Sequence, residues 1–486
     1  MSGTIRERCL NQLRDAIPDA MTLMEGPAGE LSLAEYAHAM PERGTALQDG
    51  EDLIALAERE AARLFSPDTG AAVRRELERR FLALTANHHG VDFHPEFLQG
   101  DLAFALGCRD AVPLFACGGV PCDNMAFPRG ILLAPRSTDT TRPSPFPLLS
   151  NADRRSFVSA RGPYDPNQVK KALAALPRSP FSSGERHAMD RLITHVYLHP
   201  LVLAQNSFRD QMSVANSLMW RELAAPGFRL PPLASLDLAH LAKKLIIQDL
   251  QRPGSLVHDL LLEPELTEAL LHTLNNARAC WTIHGNRVEK GSVLFWGIDT
   301  KRRGVRLTLL PRKNALTAPE RPDMLFPLTA RTLMTALEDG RLLPSLYLCF
   351  AVLAMARGLV CAGGVFQYTY LPRMEKGTAE ALRRCGDDAR AGGLSACCPL
   401  GAGFHPLRAP DAGHAASDHA AGPVDILWHG GLTEGDWERF GGIRTRDAFL
   451  CSLAFQYEDI IPEKERLPGW FTALGHSSSL TLSHHS

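Results

Sequence analysis

Several familiar signatures are missing from this chain of 486 residues, and each absence removes a class of function. No Gly-x-Gly-x-x-Gly, no Walker phosphate loop and no Gly-x-Ser-x-Gly elbow occurs, which argues against dinucleotide redox, P-loop and α/β-hydrolase chemistry. Formal net charge is only −2 and no basic block stands out, so no nucleic-acid partner is expected. The opening Met1-Ser-Gly-Thr-Ile-Arg-Glu-Arg8 has no apolar core of the kind a signal peptide carries. The longest apolar run, Leu346 to Ala356, is well short of the ~20 residues of a membrane span and reads as a buried helix. The 11 cysteines never fall at zinc-ribbon spacing, and adjacent Cys397 and Cys398 are no metal knuckle. A reducing, cytoplasmic setting without a membrane partner is the expectation.

What is present is a globular composition, 45% hydrophobic and 22% charged, long enough for two or three domains or one enlarged one. Leu53–Phe65 and Ala72–Phe81 carry apolar residues at helical spacing, so residues 1–80 read as an N-terminal helical region. The grammar then changes. Phe81–Thr85 is a short buried strand, Pro95–Leu106 a helix with proline in its first turn, and Ala111–Cys117 a second strand. That β-turn-α-β unit predicts a parallel sheet. The expected fold class is α/β, a Rossmann-like parallel-sheet core with large helical additions. Residues 81–182 would form the first part of the core, 183–290 a helical insertion, and 291–486 a C-terminal α/β region with an irregular tail. Ser292–Trp296 and Val305–Leu310 predict a β-hairpin about Lys301–Gly304, while 386–423 reads as loop and 477–486 as a frayed end.

The chemistry concentrates between Thr85 and Glu96. His88, His89 and His94 stand there with Asn87 and Asp92, followed by Gln99 and Asp101. Polar residues just past a buried strand and at a helix start face the crevice where open α/β sheets bind ligands. Histidine supplies acid–base chemistry near neutral pH or a metal ligand. His88 or His89, with Asp92, is therefore the expected catalytic group. Asn87, His94 and Gln99 would bind and orient substrate, helped by Asp123 and Asn124 after the second strand. Arg129 would grip a carboxylate or phosphate. Gly363-Gly364 followed by Gln367 and Tyr368 reads as a turn presenting polar groups to a cleft, or equally as a plain strand edge. Arg209, Gln211 and Asn216, in an amide-rich helix, are secondary candidates. The plainer alternatives are that His88 caps the strand, His94 is an N-cap or surface residue, Asp92 closes a turn and Arg129 forms a surface salt bridge. His195 and His199 lack the glutamate of a zincin motif and read as packing or surface residues.

Thr85-Ala-Asn-His-His-Gly90-Val91, then Pro95 and Val112-Pro-Leu-Phe115, resembles the bacillithiol-synthase family in order and spacing. That family carries a strand ending in Thr-Gly-Gln-Gln-x-Gly-Leu, a proline, a helix and a Val-Pro-Val-Phe-type strand with an acidic loop. Asn87 and His88 replace the paired glutamines, and Val120-Pro-Cys-Asp-Asn124 replaces most of the acidic loop. Leu343-Pro-Ser345 and Gly363–Tyr370 loosely resemble the family's C-terminal region. The resemblance implies a related Rossmann-like fold and a ligase- or transferase-like enzyme of small-molecule biosynthesis. A weaker likeness, Asn87-His-His-Gly90, His94-Pro95 and Phe127-Pro-Arg-Gly130, is to creatininase-type metal amidohydrolases, which would use His89, His94 and Asp101 as ligands. The leading expectation is an enzyme that joins or modifies an amino-acid-like or acidic substrate. A metal-dependent amide hydrolase and a non-catalytic binding protein are the alternatives. A nucleotide or a divalent metal is left open as cofactor, and so is the oligomeric state.

Overall fold

The apolar runs around Leu82 and Val112 become neighbouring strands of a four-stranded parallel sheet. The computed structural model describes residues 3–124, 130–133, 135, 140–284, 287–410, 419–475 and 480–482. Strands β1 (Leu82–Leu84), β2 (Val112–Ala116), β3 (Leu233–Asp237) and β4 (Val360–Ala362) lie in the order β4-β1-β2-β3, all parallel. Every residue in them is buried, the pattern of a sheet covered on both faces. The chain moves one way from β1 through β2 to β3, then returns to the far side of β1 with β4. The direction therefore reverses between β4 and β1, and the carboxyl ends of those strands open a crevice. β3 comes from within residues 183–290, which the sequence pattern renders as wholly helical; its five residues hide between two stronger helical signals.

Helix α1 (Pro95–Ala105) follows β1, with proline at its first position and His94 as N-cap. Glu96 through Ala105 are all buried, so α1 is an interior helix. Helix α2 (Phe208–Glu222) packs on β3, and α3 (Leu238–Asp249) starts directly from it. Helix α4 (Val365–Arg384) follows β4 after Gly363-Gly364 and runs through Pro372. Gln367 and Tyr368 thus stand in the first turns of a helix, and not in a turn or on a strand edge.

The region read as loop over 386–423 holds structure among its described residues. Asp388–Gly393 is helical, and Leu407–Ala409 pairs with His419–Ala420 and with Leu480–Thr481 of the supposedly frayed tail. These strands and the preceding Leu400–Phe404 cover α1; a Cβ on Gly100 would lie 2.8 Å from Ala402 Cβ. The hairpin forms as expected, Phe295–Ile298 against Gly304–Arg306. Tyr347 to Ala356 is buried throughout. Among the described residues no helix is long and apolar enough to cross a membrane.

Candidate functional site

Because α1 is sealed from solvent, polar groups beside it must find partners inside the protein. Asn87 Nδ2 donates to Asp101 Oδ1 at 2.9 Å, and the Asp92 backbone N–H donates to Asn216 Oδ1 at 3.0 Å. The Asn216 amide in turn donates to the Asp92 carboxyl, which meets Asp101. Asp92 and Asp101, at 1% and 0% exposure, are two neighbouring buried carboxyls whose titrations are linked. Burial pushes Asp92 up to about 6, and burial with the neighbouring Asp92 charge holds Asp101 well above the carboxylate range. Gln99 donates to the Leu407 and Ala421 carbonyls at 2.9 and 3.0 Å and accepts from the Leu407 N–H at 2.9 Å. Its amide is thereby used up in holding the C-terminal strand to α1.

The histidines divide. His89 is fully buried, its Nε2 2.9 Å from the Arg209 carbonyl, and burial lowers its pKa. His94 Nδ1 accepts from the Glu96 N–H at 3.1 Å, the capping role that α1 requires. His88 alone of the three lines the large cavity at the strand ends. Its Nδ1 is buried without a partner, and burial drives the ring down to about 4, so it is a neutral imidazole at pH 7. Asp123 is exposed and Asn124 approaches the His88 ring. Gln367 donates to Thr85 Oγ1 at 2.6 Å, pinning the ends of β1 and β4 together, and Tyr368 is half-buried. Arg129 lies outside the described residues.

That cavity, about 690 Å³, spans the carboxyl ends of β1 and β2 and the start of α3. Arg278, Lys290 and Arg373 stand on its wall, and no Asp or Glu does. None of the three cations is ion-paired among the described residues; Arg278 instead lies 3.3 Å over the Phe366 ring. Asn276 and Ala279, either side of Arg278, both have φ of 65°, a left-handed conformation costly for alanine. Cys117 and Cys280 also line the wall, and burial pushes both thiols up to about 12, so they are protonated and poor nucleophiles.

The structure therefore brings His88 to the cavity but turns His89, Asp92, Asn87, Gln99 and Gln367 inward. The metal set His89, His94 and Asp101 does not converge; no group of three His, Cys, Asp or Glu fit to hold a metal occurs among the described residues. Arg278, Lys290 and Arg373 were not candidates in the sequence. They sit 180 or more positions from the histidine segment in unremarkable charged contexts, and only the return of β4 beside β1 unites them with it. Searches against protein-family models, curated proteins and solved structures found no match for this chain.

Proposed function

We propose that the chain is an enzyme of small-molecule metabolism that binds an acidic substrate in the 690 Å³ cavity. One observation carries this reading: three cations, none of them within ion-pair distance of a carboxylate among the described residues, line a crevice at the ends of parallel strands. Holding three like charges together on one wall is unfavourable unless an anion joins them, and guanidinium groups suit carboxylates and phosphates through paired N–H donors. The reversal of strand order beside the cavity supports a Rossmann-like core, and with it the ligand position common in such sheets. His88, neutral and with a free ring nitrogen, is the general base or acid. A ligase- or transferase-type reaction fits best, as the bacillithiol-synthase resemblance implies. No nucleic-acid partner is proposed.

The test is binding of methylphosphonate, a small dianion, followed by saturation-transfer NMR. Arg278→Ala and Arg373→Ala should each weaken it about tenfold, the cost of losing a charge-assisted pair. Equal binding by both variants and the parent protein would remove the cavity from consideration.

A further inference from the structure

A smaller cavity of about 320 Å³, lined by His94, Asn124, Phe455, Glu458 and Asp459 among others, adjoins the larger one. Two links establish the adjacency. The Asn124 side chain lies against the His88 ring, which faces the larger cavity. The Asp459 carboxylate is near enough to Arg278 for their charges to influence each other, without an ion pair between them.

The two cavities have opposite polarity. Among the described residues of the smaller wall Arg142 is the only arginine or lysine, and it lies 3.5 Å from Glu458. Glu458 is further occupied by the Thr140 hydroxyl and by the Thr141 N–H and hydroxyl, each at 2.6 Å. Among the described residues Asp459 makes no hydrogen bond or ion pair. Burial and the nearby Glu96 raise its pKa against the opposing charges of Arg278, Arg142 and Arg466, so the carboxylate faces the cavity without a direct partner. His94 adds a second, independent acceptor: it is 4% exposed, its Nδ1 is spent on the helix cap, and its Nε2 has no partner. Burial and the neighbouring His405 and His88 hold that ring neutral.

We propose that the two cavities are halves of one cleft, and that the smaller half binds the ammonium group of an amine reactant between Asp459 and His94. This rests on the reading of the larger cavity as an anion site, and it makes the substrate pair an acid and an amine. His88 and Asn124 stand at the junction, where the two reactants would meet.

Ethanolamine serves as the amine probe and methylphosphonate as the anion probe, both read by saturation-transfer NMR on the full chain. Wild-type protein should bind both. Asp459→Asn should weaken ethanolamine about fivefold, the scale of a partly exposed charge pair, while methylphosphonate binds as well or better. Asp459→Lys, which tethers an ammonium in the cavity, should abolish the ethanolamine signal. Arg278→Ala should do the reverse, losing methylphosphonate and keeping ethanolamine. Absence of ethanolamine binding to the wild type, or binding indifferent to both Asp459 variants, overturns the amine subsite and leaves the anion reading standing. Loss of methylphosphonate binding alone would instead point to failure of the anion reading.

Discussion

At the scale of single residues, the molecule spends conformational and electrostatic energy in two places. Ala279 holds a left-handed backbone at a cost of roughly 1–2 kcal/mol, and it does so beside Arg278 on the cavity wall. Glycine there would relieve the strain but loosen the loop. Ala279→Gly should leave the melting temperature unchanged or higher while weakening methylphosphonate severalfold; unchanged binding would show that the loop geometry has no bearing on Arg278. The second place is the Asp92–Asp101 pair. Unfolded, both titrate near the usual ~3.9; folded, both hold protons more tightly. Their contribution to stability is therefore whole below that pH and is lost as pH rises through about 6, where folded Asp92 titrates. Asp101→Asn removes one of the two titrating carboxyls and supplies N–H donors in its place. Denaturant melts should show stability falling less between about pH 4 and 7 than in the parent protein. An equally steep fall would exonerate the pair.

At the scale of elements, α1 decides what the histidine-rich segment is for. Its proline, its cap and the two strands flanking it are legible in sequence because they depend on neighbours within a few positions. What covers it is not. Leu400–Leu407 and Ala421 lie some 300 positions away, in a glycine- and alanine-rich stretch with no periodicity to announce a packing partner. Read without that cover, Asn87, Asp92, Gln99 and Asp101 look like cleft residues; with it, they are a sealed polar network. His88 escapes because it lies at the mouth of β1, beside Cys117 just past the end of β2. The β4–α4 turn misleads for a related reason: Pro372 suggests an end, yet the helix continues through it to Arg384. The cover has its own test. Gly100→Ala would push a methyl to 2.8 Å from Ala402 Cβ, against backbone at 3.3 Å. A loss of about 1–3 kcal/mol is expected, the usual cost of overpacking a tight interface. A variant as stable as its parent would mean that α1 and the C-terminal segment are not in firm contact.

At the scale of the whole molecule, segments far apart in the chain are tied at the end of the sheet away from the cavity by one buried arginine. Arg357, just before β4, is 0% exposed. Its guanidinium donates to Asp52 of the helix Glu51–Leu64 at 2.7 and 2.8 Å, and to Asp249 at the end of α3 at 3.0 and 2.8 Å. The Val352 carbonyl accepts a further bond at 3.1 Å. Burial alone would raise the Asp52 carboxyl, but the guanidinium outweighs it and holds the group below its ordinary value. One cation thus fixes the N-terminal helices, the third strand's helix and the returning fourth strand. It has to be arginine, because lysine cannot fork to two carboxylates at once. A buried ion triad is costly to assemble and more costly to break. Arg357→Met should therefore lose about 3–5 kcal/mol, since it strands the buried Asp249 carboxylate and leaves the partly exposed Asp52 with Arg252 alone. Arg357→Met combined with Asp52→Leu and Asp249→Leu should recover most of that loss, because an apolar triad incurs no desolvation of charge. Guanidinium melts of the parent, single and triple variants measure both steps. If the single variant is as stable as the parent, the triad is not the tie that joins these segments. If the triple is no better than the single, the damage lies in lost shape and not in stranded charge.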